Sequence, residues 1–230
     1  MFSINGKRTL GRNATITGGR IIHERGNLID ELKSKKADNI EKISIDSDVI
    51  DVKISLSNSS IVEVHLYGQA NINGCINFDV YIVKNELRVI LNIEGTCYGT
   101  LKLDITVPPK IFKKIKLNSI SADITLNEGV STEYIEMETQ SGDIQTNATF
   151  AKAYVSTISG DVKAYINAKE KISAEISTIS GDVLTKLKNV GKIKLSTRSL
   201  SGDIKRNHKK GIGHSASINI STTSGDITVR

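Results

Sequence analysis

Ser-Gly-Asp recurs through the second half of this chain, and two of its three residues can do chemistry. A serine hydroxyl beside a base is a nucleophile, and grouped carboxylates hold metals or trade protons. The motif stands at Ser141-Gly142-Asp143, Ser159-Gly160-Asp161, Ser180-Gly181-Asp182, Ser201-Gly202-Asp203 and Ser224-Gly225-Asp226. Neither chemistry is completed around it. No histidine recurs with the serine, since His23, His65, His208 and His214 are scattered. Each unit carries one aspartate with no second acid at a fixed offset, whereas calcium takes roughly six to eight oxygens. Zinc-ligand spacing and a phosphate loop are both missing. The sequence therefore predicts no catalytic site, no metal and no cofactor.

A structural corner explains every residue of the motif. Glycine turns the chain, while Asp and Ser oxygens accept hydrogen bonds from nearby backbone N–H groups. The Ile or Val after the Asp then re-enters the core. STISGDV occurs twice without change, at Ser156–Val162 and Ser177–Val183. A sixth, variant copy reads SADI at Ser121–Ile124, and successive copies are 20, 18, 21, 21 and 23 residues apart. Four residues before the Ser stand Leu117, Met137, Val155, Ile176 and Ile220; two earlier stand Ile115, Ile135, Ala153, Ala174 and Ile218. In the fifth copy Ile193 and Leu195 take these roles, which implies a two-residue insertion. A fixed apolar register at this period means stacked coils. The expected fold is all-β, a right-handed parallel β-solenoid of about five to six coils over residues 110–230. Val183 should point inward and Thr185 lie at least partly exposed. The column Thr139, Thr157, Thr178, Thr222 offers an ice-binding reading, ranked low with one Thr per coil. Only Thr228, Val229 and Arg230 follow the last motif, so the C-terminal coil should lie open and support a weak homodimer.

The preceding segments position that stack. Residues 40–109 alternate polar and apolar and read as an antiparallel β region packed on the solenoid, ended by Pro108-Pro109. In residues 1–39, NATIT and RIIH flank Gly18-Gly19 as a hairpin, and LIDELKSKK after Asn27 suits a short helix near 28–36. Cys75 and Cys97 read as free thiols.

The net charge of +6 is uneven, with +8 in residues 151–230 and −2 before them. Its densest spot, Lys205, Arg206, His208, Lys209 and Lys210, reads as a candidate basic binding loop, with a solvated loop as the simpler account. It carries no aromatic side chain for base stacking, so no specific nucleic acid is expected. No stretch is long and apolar enough to span a membrane and no secretory leader is present, which gives a cytoplasmic expectation, or an envelope-associated one with an anchor.

LKLDITVPPK, then Lys114-Ile115-Lys116-Leu117, then the repeated SGD-(I/V), resembles the bacterial putative-adhesin family, similar to LiaG-type proteins, over about residues 40–230. The resemblance implies a β-solenoid without known catalysis and a role in adhesion or envelope stress. The combined expectation is a non-catalytic interaction scaffold whose partner is a protein or a polyanionic or glycan surface. The alternative is a carbohydrate-binding or carbohydrate-active solenoid, which an acid-lined cleft near a Lys or Arg would favour.

Overall fold

The computed structural model describes the backbone at residues 3–4, 7–8, 15–17, 20–22 and 27–230 except 209–211, and side chains from residue 27 except 71–75, 96–98 and 209–211. Two short hairpins come first: β1 (Ser3–Ile4) with β2 (Lys7–Arg8), and β3 (Thr15–Thr17) with β4 (Arg20–Ile22). Thr17 opposite Arg20 brackets Gly18-Gly19, as the hairpin expectation requires.

Every other element is also a strand. β5 (Asn27–Lys36), β6 (Lys42–Ser47), β7 (Asp51–Leu56), β8 (Ile61–Val83) and β9 (Glu86–Val107) build one end. Six coils follow, each a long strand, a corner and a short strand. They are β10–β11 (Ile111–Ser119, Ile124–Leu126), β12–β13 (Ser131–Ser141, Ile144–Thr146) and β14–β15 (Thr149–Ser159, Val162–Asn167). Then come β16–β17 (Ile172–Ser180, Val183–Lys188), β18–β19 (Val190–Ser201, Ile204–Arg206) and β20–β21 (His214–Ser224, Ile227–Val229). Successive coils pair in parallel, so the molecule is a β-solenoid.

The repeat becomes columns inside the stack. Leu117, Met137, Val155, Ile176 and Ile220 stand on one another, as do Ile124, Ile144, Val162, Val183 and Ile227. All ten are buried. Thr185 is also buried, at 0% exposure, which corrects the expectation that it lies partly outside. It is two residues after Val183 on the same strand, and a period of two returns it to the same face.

Three more expectations change. The stretch at 28–36 is the strand β5, not a helix. Nine residues are too few to hold a helix in isolation, while β8 offers a ten-residue antiparallel ladder from Asn27↔Ala70 to Lys36↔Ile61. Lys33 also lays its ammonium over the Phe78 ring at 4.3 Å. Within 40–109, only the β5–β8–β9 ribbon is antiparallel; β6 and β7 pair in parallel with β10 and β11 and form a further coil. β9 supplies the layer beneath, its first part against β6 and its last part against β7. On the β8–β9 ladder Cys75 faces Glu94 and Cys97 faces Ile72, three rungs apart. That is about 10 Å of strand, beyond the roughly 7 Å Cα separation of a disulfide.

The third change concerns coil order. β16 pairs with β20, and β20 with β18, so the last coil in sequence lies inside the penultimate one. Both edges of the C-terminal coil are occupied, and among the described residues the open end belongs to β18–β19. Ser201 stands opposite Ser224, Thr197 opposite Ile220 and Leu195 opposite Ile218, so the expected two-residue insertion is absent between Ile193 and Ser201; a one-residue register shift lies earlier, between Val190 and Ile193. Arg206 explains the order. It stands opposite the buried Val229, in the column of Leu126, Thr146, Ala164 and Thr185. A guanidinium placed between coils would lose its hydration without a counter-charge. At the end it stays exposed, and its Nε donates to Thr197 Oγ1 at 2.8 Å. Thr197 and Arg206 thus form a polar cap over the apolar columns, the device that repeat proteins need at their ends.

Candidate functional site

The SGD corners are built by three ladders that run from coil to coil. Each Asp carboxylate accepts from the backbone N–H of the Asp on the next coil. The series Asp51, Asp123, Asp143, Asp161, Asp182, Asp226, Asp203 is linked at 2.7–3.0 Å. Each glycine N–H donates to a serine carbonyl on the next coil, as Gly160 does to Ser180 at 3.1 Å. Threonine hydroxyls close the third ladder. Thr157, Thr178 and Thr222 donate to the carbonyls of Gly142, Gly160 and Gly181 at 3.1–3.2 Å. These threonines, with Thr139, are buried. The ice-binding reading therefore fails, because its column lies inside the coil rather than on its surface.

Glycine is required here by close approach. A Cβ on Gly181 would lie 2.1 Å from the Gly160 carbonyl oxygen, and Gly160 repeats that contact with Gly142. The aspartates point outward in single file, each using an oxygen to bind its neighbour's backbone. Their side chains are spent on the corner, and among the described residues no group of three or more His, Cys, Asp or Glu is arranged to hold a metal. The serine side chains of the motif are exposed at the corner surface.

Beside each corner is a feature that the sequence reading passed over. The residue before the Ser projects outward, and in stacking order this row reads Ile120, Gln140, Ile158, Ile179, Thr223 and Leu200, with Ile158 and Ile179 as neighbouring apolar side chains. Ile158 is 51% exposed, Ile179 52% and Leu200 74%. The recurring Ile or Leu in TISGD and SLSGD was the available signal. Next to this row, on the outer face of the long strands, Ser156, Ser177 and Ser221 stack in register, with Ser156 and Ser177 hydroxyls 3.1 Å apart. Tyr154, Glu175 and Asn219 form the adjacent row. Toward β10 the face turns ionic. Glu136 binds Lys114 at 2.6 Å and Lys116 at 2.8 Å. Burial pushes the Glu136 carboxyl up, but the two lysine bonds outweigh it and hold it below the ordinary range.

A shallow groove of about 240 Å³ lies at the foot of the aspartate ladder, lined by Asp51, Lys53, Tyr67, Lys102, Asp104 and Asp123 among others. Tyr67 donates to Asp104 Oδ2 at 3.1 Å. Burial and the Asp104 hydrogen bond and carboxylate raise the phenol's pKa, so it keeps its proton at neutral pH. Three acids and two lysines make the groove polar and nearly balanced in charge. The expected basic loop is described only in part. Lys205 and Arg206 belong to β19, with Arg206 committed to Thr197; His208 follows the strand, and Lys209 and Lys210 lie outside the described residues.

The repeat, the corner ladders and the apolar columns coincide with a single family model, Toastrack DUF4097, which matches residues 40–230. The chain belongs to the Toastrack DUF4097 family. No curated protein matches it. Among solved structures, a putative cell adhesion protein of Clostridium sporogenes shares the fold at 12% identity, covering 88% of this chain and 98% of that one, with a TM-score of 0.59. A putative adhesin of Bacteroides fragilis aligns at 14% identity over 88% of this chain and 97% of that one, with a TM-score of 0.49. The Toastrack domain of this chain thus carries its SGD motifs as corners, and no helix among the described residues is long and apolar enough to cross a membrane.

Proposed function

We propose that this protein is a non-catalytic, adhesin-like interaction scaffold that works at the cell envelope through the outer face of its long strands. The observation that carries this reading is the pair of exposed neighbours Ile158 and Ile179 beside the stacked Ser156, Ser177 and Ser221. Neighbouring exposed apolar side chains mark interaction sites, and the serines add hydrogen bonding at a regular spacing of about 4.8 Å. The description of the Clostridium sporogenes protein as an adhesion protein agrees with it. Binding of the labelled protein to bacterial envelope preparations tests the reading. Changing Ile158 and Ile179 to Lys should abolish binding while leaving the melting temperature within a few degrees of the parent, since both side chains are already half in water. Undiminished binding by that variant would refute the choice of face.

A second reading rests on the Asp51–Tyr67–Asp104 groove, whose polar lining fits an oligosaccharide. Tyr67→Phe and Asp104→Asn should then weaken glycan binding, while the Ile158 and Ile179 variant should not.

A further inference from the structure

The C-terminal coil occupies a slot between two coils that precede it in sequence. β20 pairs with β16 on one side through Ile172↔Ala216 to Ser180↔Ser224, and with β18 on the other through Val190↔His214 to Ser201↔Ser224. β21 likewise lies between β17 and β19. The corner ladders run through it as well: Asp226 binds Asp182 at 2.7 Å, and Asp203 binds Asp226 at 2.8 Å. Among the described residues, the β-ladder pairings of β18 and β19 are to β20 and β21.

We propose that β20–β21 is an exchangeable coil, and that its slot accepts the same segment, His214–Val229, from a second copy of this chain. Three observations support the exchange. First, β18–β19 must form outside a gap, because Arg206 and Thr197 at inward positions oppose direct stacking on β17 and β16. Until β20–β21 enters, the gap is flanked by two unpaired strand edges, which pair readily with any matching strand. Second, a connection of seven residues, 207–213, joins the segment to β19 and includes Gly211 and Gly213. Third, the contacts in the exchanged dimer are those of the monomer. Ala216, Ile218, Ile220, Ile227 and Val229 would enter identical columns, and only the connecting residues would take a new path. Reciprocal exchange closes on itself with two-fold symmetry and leaves no open slot for a third chain.

The partner is thus another copy of the chain, captured when folding takes place at high concentration. Refolding the full chain from denaturant under dilute and concentrated conditions tests this by size measurement. A dimer of twice the monomer mass that grows with concentration and persists on dilution is expected. Exchange is distinguished from surface association by a cross-link. Ser177 and Ser221 are directly opposed. In a background with Cys75 and Cys97 changed to Ser, one chain carries Ser177→Cys and a second, tagged chain carries Ser221→Cys. Their co-refolded dimer should yield a disulfide between the two chains on oxidation. A single chain carrying both changes, oxidised as the monomer before unfolding, should lose the ability to dimerise on refolding. Refolding that gives only monomer at every concentration would overturn the proposal. So would a dimer without the inter-chain disulfide, or a locked chain that dimerises as readily as its reduced form.

Discussion

Gly181→Ala puts one methyl group where the stack has no room. The new Cβ would lie 2.1 Å from the carbonyl oxygen and 2.6 Å from the carbonyl carbon of Gly160. An ordinary contact needs about 3.3 Å, so the two coils must part by about 1 Å at the corner. Three bonds resist that movement: Gly160 N–H to the Ser180 carbonyl at 3.1 Å, Thr178 Oγ1 to the Gly160 carbonyl at 3.1 Å, and Asp182 N–H to Asp161 Oδ1 at 2.8 Å. Opening by 1 Å takes them out of bonding range, at about 0.5–1.5 kcal/mol each. If instead the bonds hold, the overlap itself costs about 1–3 kcal/mol. The backbone at φ 157° adds strain for any residue with a side chain. The expected loss is about 3–4 kcal/mol, a large part of the roughly 5–15 kcal/mol available to a domain. For a chain of this size it lowers the melting temperature by about 6–16 °C. Thermal unfolding followed by circular dichroism measures it, with Ser180→Ala as the control, expected within about 0.5 kcal/mol of the parent because that side chain is exposed. If Gly181→Ala melted with the control, the corner would not be held by close stacking and the structural account of SGD would be wrong.

Asp161→Asn keeps an oxygen for the Asp182 N–H and removes one charge from the single-file carboxylates, so it should match or exceed the parent in chemical denaturation. Asp161→Ala removes the acceptor of an exposed hydrogen bond and should cost about 0.5–1.5 kcal/mol. Thr178→Val strips the Gly160 carbonyl of its hydroxyl donor and should destabilise by about 1 kcal/mol, whereas Thr185→Val removes a buried hydroxyl without a partner and should be neutral or stabilising. Glu136 has a lowered pKa in the folded state, so its contribution is present above the unfolded carboxyl value and is lost as pH falls through the folded one. Urea titrations across the acid range should therefore show a shallower loss of stability for Glu136→Gln than for the parent.

Much of the solenoid was legible because its repeat is both chemical and spatial. The spacing of the SGD units places Ile176, Val183 and their counterparts in columns, and those columns form the core. The corner was legible in kind, since glycine and aspartate have few other uses at that position. Its detail was not. Whether Asp161 bonds within its own turn or to the next coil depends on how closely coils stack, and the inward Thr178 was mistaken for a surface residue. The exposed isoleucine was present in every TISGD, but an apolar residue in a strand reads as core until the faces are assigned.

What the sequence by itself determined is the coil: its length, its inward columns and its corners, all set by interactions that repeat from one unit to the next. Tertiary structure decided what a repeat cannot specify. LIDELKSKK has helix-like spacing, yet β8 presented an unpaired edge and the segment joined it as β5. The order of the last two coils was decided in the same way. Each carries apolar residues at inward register positions, Ile193, Leu195 and Ile204 in one and Ala216, Ile218, Ile220, Ile227 and Val229 in the other. One guanidinium, Arg206, separates the two arrangements, because it is stable over the open end and costly between coils. That preference exists only once the columns are assembled, which is why the chain threads its C-terminal coil inside the one before it.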